Sequence, residues 1–158
     1  MDDVTFSVVP AGSPEARWAM SQYFEELATR FPGGFDPGEA LEEAPARYEP
    51  PNGTFVLVRR GGGTVGCGAL DLLDDETAEV KRMWVSPTCR GLGLGRRLLA
   101  HLEDEARRHG RSTVVLDTNA SLTEAIAMYE SSGYVRTARY NDNPYAQRWF
   151  RKSLRGDA

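Results

Sequence analysis

Cysteine and histidine are scarce in this 158-residue chain, with two of each. Cys67 and Cys89 sit in different segments, with neither CxxC spacing nor the density of a disulfide framework, and His101 and His109 fall on a helical stretch that reads as solvated. Two reduced thiols and no metal site are expected. A surplus of positive charge is missing as well: 19 Lys and Arg stand against 23 Asp and Glu, for a net charge of −4. That balance withholds the basic field on which nucleic-acid affinity rests. No apolar run approaches the roughly 20 residues of a membrane span, and MDDVTFSVVP carries no basic-then-apolar leader pattern. A cytoplasmic protein with neither nucleic-acid nor membrane partners is expected. Repeats, low-complexity tracts and linker-like stretches are absent too, so residues 1–158 read as one domain. At 41% hydrophobic residues it can bury a core.

What is present is an alternation of strand and helix signals. Residues 5–9 read as a short strand. Ser13-Pro14-Glu15 offers an N-cap followed by proline at the first helical position, and Trp18, Tyr23, Phe24 and Leu27 recur at near-helical spacing up to Arg30. RFPGGFDPGEALEEAPARYEPPNG, residues 30–53, is dense in proline and glycine and has room for one short helix around residues 39–43. Residues 54–60 and 64–72 are strands joined by the tight RGGG turn, and residues 77–85 are a third, which makes an antiparallel meander. A helix then runs to about His109 with Gly110 at its C-cap, followed by the buried-looking strand STVVLDT. Ser121 or Thr123 can cap a further helix that ends at Gly133, before strands at 134–140 and 147–154. The order predicts an α+β fold with a mixed, mainly antiparallel central sheet flanked by helices.

CRGLGLG, residues 89–95, lies between the third meander strand and the helix that opens Arg96-Arg97-Leu98-Leu99. Glycine-rich turns of this kind bring amides close to phosphates. A Walker A loop needs Gly-Lys-Ser/Thr, and Arg96-Arg97 supplies no hydroxyl for magnesium. A dinucleotide GxGxxG opens a first βαβ unit, whereas Gly91, Gly93 and Gly95 alternate with period two after a meander. A plain connection would need only two glycines. Three of them beside Arg90 and Arg96, at a helix N-terminus whose dipole favours an anion, suit a pyrophosphate best.

These residues carry a resemblance. AEVKRMWVSPTCRGLGLGRRLL, residues 78–99, is similar to the strand, R/Q-x-x-G-x-G/A loop and helix of the GNAT superfamily of N-acetyltransferases, with Arg90, Gly93 and Gly95 in the named places. LDTNASLTEAIAMYESSGYV, residues 116–135, resembles the family's later strand and helix, with Ala125, Tyr129, Glu130, Gly133 and Tyr134 matching A-x-x-x-Y-E-x-x-G-Y/F. The resemblance implies an acyl-CoA N-acyltransferase fold, acetyl-CoA as co-substrate without a metal, and acetyl transfer to an amine. It implies that Met83, Trp84 and Val85 pair with the pantetheine amides like an added strand, and that Arg90, Gly91, Leu92, Gly93, Leu94, Gly95 and Arg96 hold the pyrophosphate, mostly through backbone atoms. Asn119 matches a place where the family hydrogen-bonds the pantetheine or shapes the site.

An alkyl ammonium with a pKa of about 10.4 costs about 4 to 5 kcal/mol to deprotonate at pH 7, so a general base, or a water relayed to one, is expected. Glu79 matches a position at which some family members carry a catalytic glutamate. Period-two alternation alone groups it with Lys81, Met83 and Val85 and leaves its face open, and a bulge, usual in the family's strand, would re-aim these side chains. Tyr129 matches the family's usual acid, placed to protonate the departing coenzyme A thiolate; a core tyrosine is the other reading of the same residue. The family's acceptor side implies Tyr23, Arg30, Phe31, Phe35 and RYNDNPY at 139–145, where Asp142 could hold a cationic amine and Arg30 a carboxylate. The expected function is acetyl transfer to the primary amine of a small molecule or amino acid. An acyl-CoA-binding sensory module without turnover and a protein or peptide N-acetyltransferase stand as alternatives. Exposed edge strands at the C-terminal end leave a homodimer open.

Overall fold

Runs of apolar residues with period two lay out a seven-stranded sheet in the computed structural model, which describes residues 3–31, 33–35 and 46–155. Strands β1 (Val4–Val8), β2 (Gly53–Arg60), β3 (Gly63–Leu72) and β4 (Thr77–Val85) pair antiparallel in chain order. β5 (Thr113–Thr118) joins β4 in parallel, and β7 (Arg148–Ser153) lies antiparallel between β5 and the two-residue β6 (Val135–Arg136). A parallel pair needs a crossover, which helix α2 (Leu94–Arg108) supplies. Helix α1 (Pro14–Arg30) covers the opposite face, and α3 (Thr123–Ser131) follows β5. The expected α+β class is the observed one. No described helix is long and apolar enough to cross a membrane.

β2 reads as an unbroken apolar run because it is buried on both faces. Val56 and Val58 pack with Leu98, Leu99 and Leu102 of α2, while Phe55 and Leu57 pack with Ala19, Met20 and Phe24 of α1. Each such side chain, fully buried, contributes about 1.5–3 kcal/mol. α1 begins as its sequence suggests: Ser13 Oγ accepts from the Ala16 amide at 3.3 Å, and Pro14 opens the first turn. Trp18 is nonetheless half exposed and meets Trp84 edge-on at 5.9 Å. His101, expected on a solvated face, stacks on Phe6 at 5.3 Å. Both cysteines are free and buried.

One expectation stands open and two change. The short helix at residues 39–43 lies outside the described residues. Neither Ser121 nor Thr123 caps α3; its N-cap is Leu122 without a side-chain bond, and the preceding turn is held by Asn119 Oδ1 accepting from the Ser121 amide at 2.9 Å. Strand structure at 134–140 shrinks to β6, because the chain beyond Thr137 leaves the sheet and commits Tyr140 and Asn141 to side-chain bonds with Glu79.

The decisive irregularity is in β4. Its register against β3 shifts between Lys81, opposite Ala69, and Trp84, opposite Cys67, and Arg82 takes a left-handed φ of 58°. Two β4 residues therefore face Gly68, forming a β-bulge that re-aims the side chains beyond it. Glu79 and Lys81 end up on the α1 face with Trp84, whereas Met83 and Val85 pack against the α2 face; a strict alternation from 79 to 85 does not survive. The bulge also bends β4 away from β5. The two strands pair only from Thr77–Glu79 against Thr113–Val115, and beyond that point they part.

Candidate active site

Where β4 and β5 separate, a cavity of about 920 Å³ opens between the strand ends, α1, the glycine turn, α3 and the loop at 143–146. Past Glu79 the β4 backbone has no strand partner on the β5 side, so the stretch through Met83 and Trp84 runs along the cavity as a free strand edge, up to Val85, whose carbonyl accepts from Arg90.

The glycine turn closes one end. Gly91 and Gly93 adopt left-handed φ of 86° and 76°, conformations that side chains disfavour, and Gly93 caps α2 without any side-chain bond. The first amides of α2 have no intrahelical acceptors, and Gly93, Leu94, Gly95 and Arg96 line the cavity there. Gly95 serves a different purpose from the other two: a Cβ on it would sit 3.1 Å from Met128 Sδ, so its hydrogen lets α2 and α3 approach. Arg90 donates from Nε to Val85 O at 3.0 Å and also pairs with Glu26 of α1, while Arg96 bonds Ser131 Oγ at 2.5 Å and Ser132 Oγ at 3.3 Å. Leu92 points away, half exposed and outside the cavity lining.

At the centre, Tyr129 is packed against Tyr134 and Phe150, and its hydroxyl has no hydrogen bond among the described residues. Burial pushes the Tyr129 phenol well above its ordinary range, with the neighbouring Tyr23 and Asp117 adding to the effect. Tyr23 is pushed up to about 12, mainly by burial, against the pull of Arg82. Asp117 of β5 lines the cavity, and its Oδ2 accepts from Asn141 Nδ2 at 2.6 Å and Asn143 Nδ2 at 3.3 Å.

Glu79 is placed differently from expectation. Its carboxylate lies outside the cavity lining, with the side chain 4% exposed, and accepts from Tyr140 Oη at 2.6 Å and Asn141 Nδ2 at 3.3 Å. Burial raises its pKa and Lys81, at 3.5 Å, opposes the rise. Asn141 Nδ2 thus joins Glu79 to Asp117, and Trp149 Nε1 holds Asn141 Oδ1 at 3.0 Å. Asn119 lines the cavity, but its amide is engaged internally: Nδ2 donates to Tyr145 O at 2.7 Å.

The far end is aromatic. Phe35 stacks on Phe24 at 5.7 Å and lies 4.5 Å from Tyr145, which also stacks on Phe31 at 5.7 Å. These rings join the end of α1 to the 143–146 loop. Two residues expected here do not serve as foreseen. Arg30 lines the cavity but is paired with Glu26 at 3.3 Å and Glu124 at 2.6 Å, so its charge is already met, and Asp142 is exposed and outside the lining. Asp117 and Arg82 were not singled out from the sequence, whereas Tyr145 belongs to the RYNDNPY stretch expected on the acceptor side. The signals for Asp117 and Arg82 were an acid inside the apolar strand VVLDT and the tandem Lys81-Arg82 that interrupts the alternation of β4.

The family model described as Acetyltransferase (GNAT) family matches residues 20–134. An IAA acetyltransferase of Azospirillum brasilense is 41% identical over 119 residues, which is 73% of this chain and 76% of that protein. The [Ribosomal protein bS18]-alanine N-acetyltransferase of Escherichia coli is 48% identical over 80 residues, 51% of this chain and 53% of its own length. An acetyltransferase from Streptococcus agalactiae has the same fold, with a TM-score of 0.83 at 22% identity over 98% of this chain and 100% of that one. A GNAT family acetyltransferase from Elizabethkingia anophelis, crystallised with acetyl-CoA bound, gives 0.71 at 20% identity over 98% and 100%.

Proposed function

The chain belongs to the GNAT family of acetyltransferases, and from that premise we propose that it transfers an acetyl group from acetyl-CoA to the primary amine of a small molecule or amino acid. The observation that carries the reading is the meeting, in one cavity, of the unbonded Tyr129 hydroxyl and the Asp117 carboxylate where β4 and β5 part.

The residues present suit acetyl-CoA. The unpaired edge of β4 through Met83, Trp84 and Val85 can hold the amides of a pantetheine arm, and the open amides at the start of α2 can hold a pyrophosphate. Acetyl-CoA supplies a thioester-activated acetyl group. Asp117, oriented by the side-chain amides of Asn141 and Asn143, takes the proton from the incoming ammonium. Glu79 stands behind Asn141 and positions it; the role of base passes to Asp117, because Glu79 does not reach the cavity. As the nitrogen bonds the acetyl carbon and the C–S bond breaks, Tyr129, whose phenol burial keeps protonated, gives its proton to the departing sulfur and is reprotonated by the second proton that the nitrogen sheds. The aromatic wall of Phe31, Phe35 and Tyr145 favours a compact acceptor over an extended peptide.

The test is thiol release from acetyl-CoA with a panel of small amines and of short peptides. Turnover with small amines supports the reading, turnover with peptides alone replaces it by a peptide N-acetyltransferase, and tight coenzyme A binding without any turnover points to a sensory module.

A further inference from the structure

Three cations line the cavity on the α1 face of β4, and two of them are paired. Arg47 meets Asp71 at 2.6 Å, and Lys81 meets Glu79 at 3.5 Å. Arg82 has no carboxylate partner among the described residues. Its guanidinium carbon lies 5.1 Å from the centre of the Phe24 ring and 5.6 Å from that of Tyr48, and its Nε is buried without a hydrogen bond. Two rings hold a guanidinium in place through its charge but leave its N–H donors unanswered, and a cation drawn out of water without an anion is costly.

The backbone underlines this placement. Arg82 is the one non-glycine residue with positive φ among the described residues, and it occupies the bulge where the β4 register slips. A left-handed conformation is unfavourable for a long side chain and is typically kept where the surroundings over-determine it. Cys67 Sγ donates to Arg82 O at 3.2 Å, which ties the bulge to β3 and leaves the side chain to reach the cavity. Tyr23 connects it to the reacting centre, since its hydroxyl feels both Arg82 and Asp117, with opposite sign.

We propose that Arg82 anchors a carboxylate of the acceptor, which makes the substrate class an apolar or aromatic amino acid rather than a simple amine or a peptide amino terminus. The assignment rests on the acetyltransferase reading above. The planar fork of the guanidinium offers two parallel N–H groups to a carboxylate. Asp117 faces the ammonium, and Phe31, Phe35 and Tyr145 face the apolar side chain. An amino acid carries both charges close together, and Arg82 and Asp117, which line the same cavity and both act on the Tyr23 hydroxyl, offer it a cation and an anion. A peptide amino terminus has a neutral amide in place of the carboxylate, which can accept a hydrogen bond from Arg82 but offers no negative charge to pair with it.

The experiment compares phenylalanine, phenylalaninamide and phenethylamine as acceptors in the thiol-release assay. The wild-type enzyme should favour phenylalanine over phenylalaninamide in kcat/KM by at least about tenfold, as expected for a charge-assisted pair in a sheltered site. Arg82→Met should bring that ratio towards one by raising the KM for phenylalanine, and Arg82→Lys should keep part of it. Coenzyme A binding by calorimetry shows whether each variant is folded; if Arg82→Met is not, the wild-type ratio decides alone. Equal or better turnover of phenylalaninamide or phenethylamine overturns the anchor while leaving the acetyltransferase reading intact. Absence of turnover on every amine and peptide, with acetyl-CoA bound, overturns both.

Discussion

The two ends of the cavity are built from different materials. At the glycine turn the groups offered to the cavity are backbone amides, freed by left-handed Gly91 and Gly93 and by the missing side-chain cap of α2, while Arg90 and Arg96 are tied to Glu26, Ser131 and Ser132. At the aromatic end the facing groups are side chains: Asp117, Arg82, and the rings of Phe31, Phe35 and Tyr145. A backbone site tolerates many sequences but few conformations, so it suits a constant donor. A side-chain site can be altered one residue at a time, so it suits a variable acceptor. Tyr129 stands at the junction, where the proposed chemistry would join the two.

Substitutions that act on one end alone probe this division most directly. The largest effect is expected for Asp117→Asn, which should lower kcat by about a hundredfold through loss of the general base while leaving coenzyme A affinity unchanged; steady-state kinetics with calorimetry measures both. Equal losses in kcat and in coenzyme A binding would break the division. Tyr129→Phe should lower kcat by at least about tenfold with little change in either KM, and an unchanged rate would return the tyrosine to the core. Gly93→Ala meets no atom within 4 Å, so its cost is conformational, about 1–2 kcal/mol for a left-handed alanine. It should weaken acetyl-CoA binding about fivefold or more and leave acceptor selectivity alone.

The smallest effect concerns Glu79. Burial raises its pKa in the folded chain above the ordinary 4.5, so the folded state binds more protons than the unfolded one just above that pH. Its contribution is fully present below the unfolded value and is lost as pH rises through the folded one. Melting temperatures of wild type and Glu79→Gln should therefore diverge as pH rises from about 4.5 towards neutrality, with the wild type losing ground. A constant difference across that range would mean that the Glu79 environment does not penalise its charge.

The strands of the meander, α1, α2 and β5 were legible because each carries a local signal: period two in β2 and β3, Ser13-Pro14 before α1, Gly110 after α2. The glycine turn was legible for the same reason, since a glycine pattern at a helix start is a statement about backbone conformation. Residues 137–140 were misread as strand because nothing local announces that Tyr140 and Asn141 bond Glu79 across the sheet. Arg30 and Asp142 were plausible by charge and position, but one is neutralised by Glu26 and Glu124 from two different helices and the other faces outward.

By itself, then, the sequence determined the order of elements, the glycine turn and the matching Tyr129 motif, all of which depend on neighbours within a few residues. Tertiary structure alone decided which carboxylate lines the cavity. A one-residue bulge at Arg82 is set by the pairing of β4 with β3, and it turns side chains on either side of it to opposite faces. That single slip sends Met83 and Val85 to the face opposite Glu79 and Lys81, and past Glu79 β4 has no pairing with β5, so the cavity opens beside Asp117 with Arg82, which has no carboxylate partner among the described residues, in its lining.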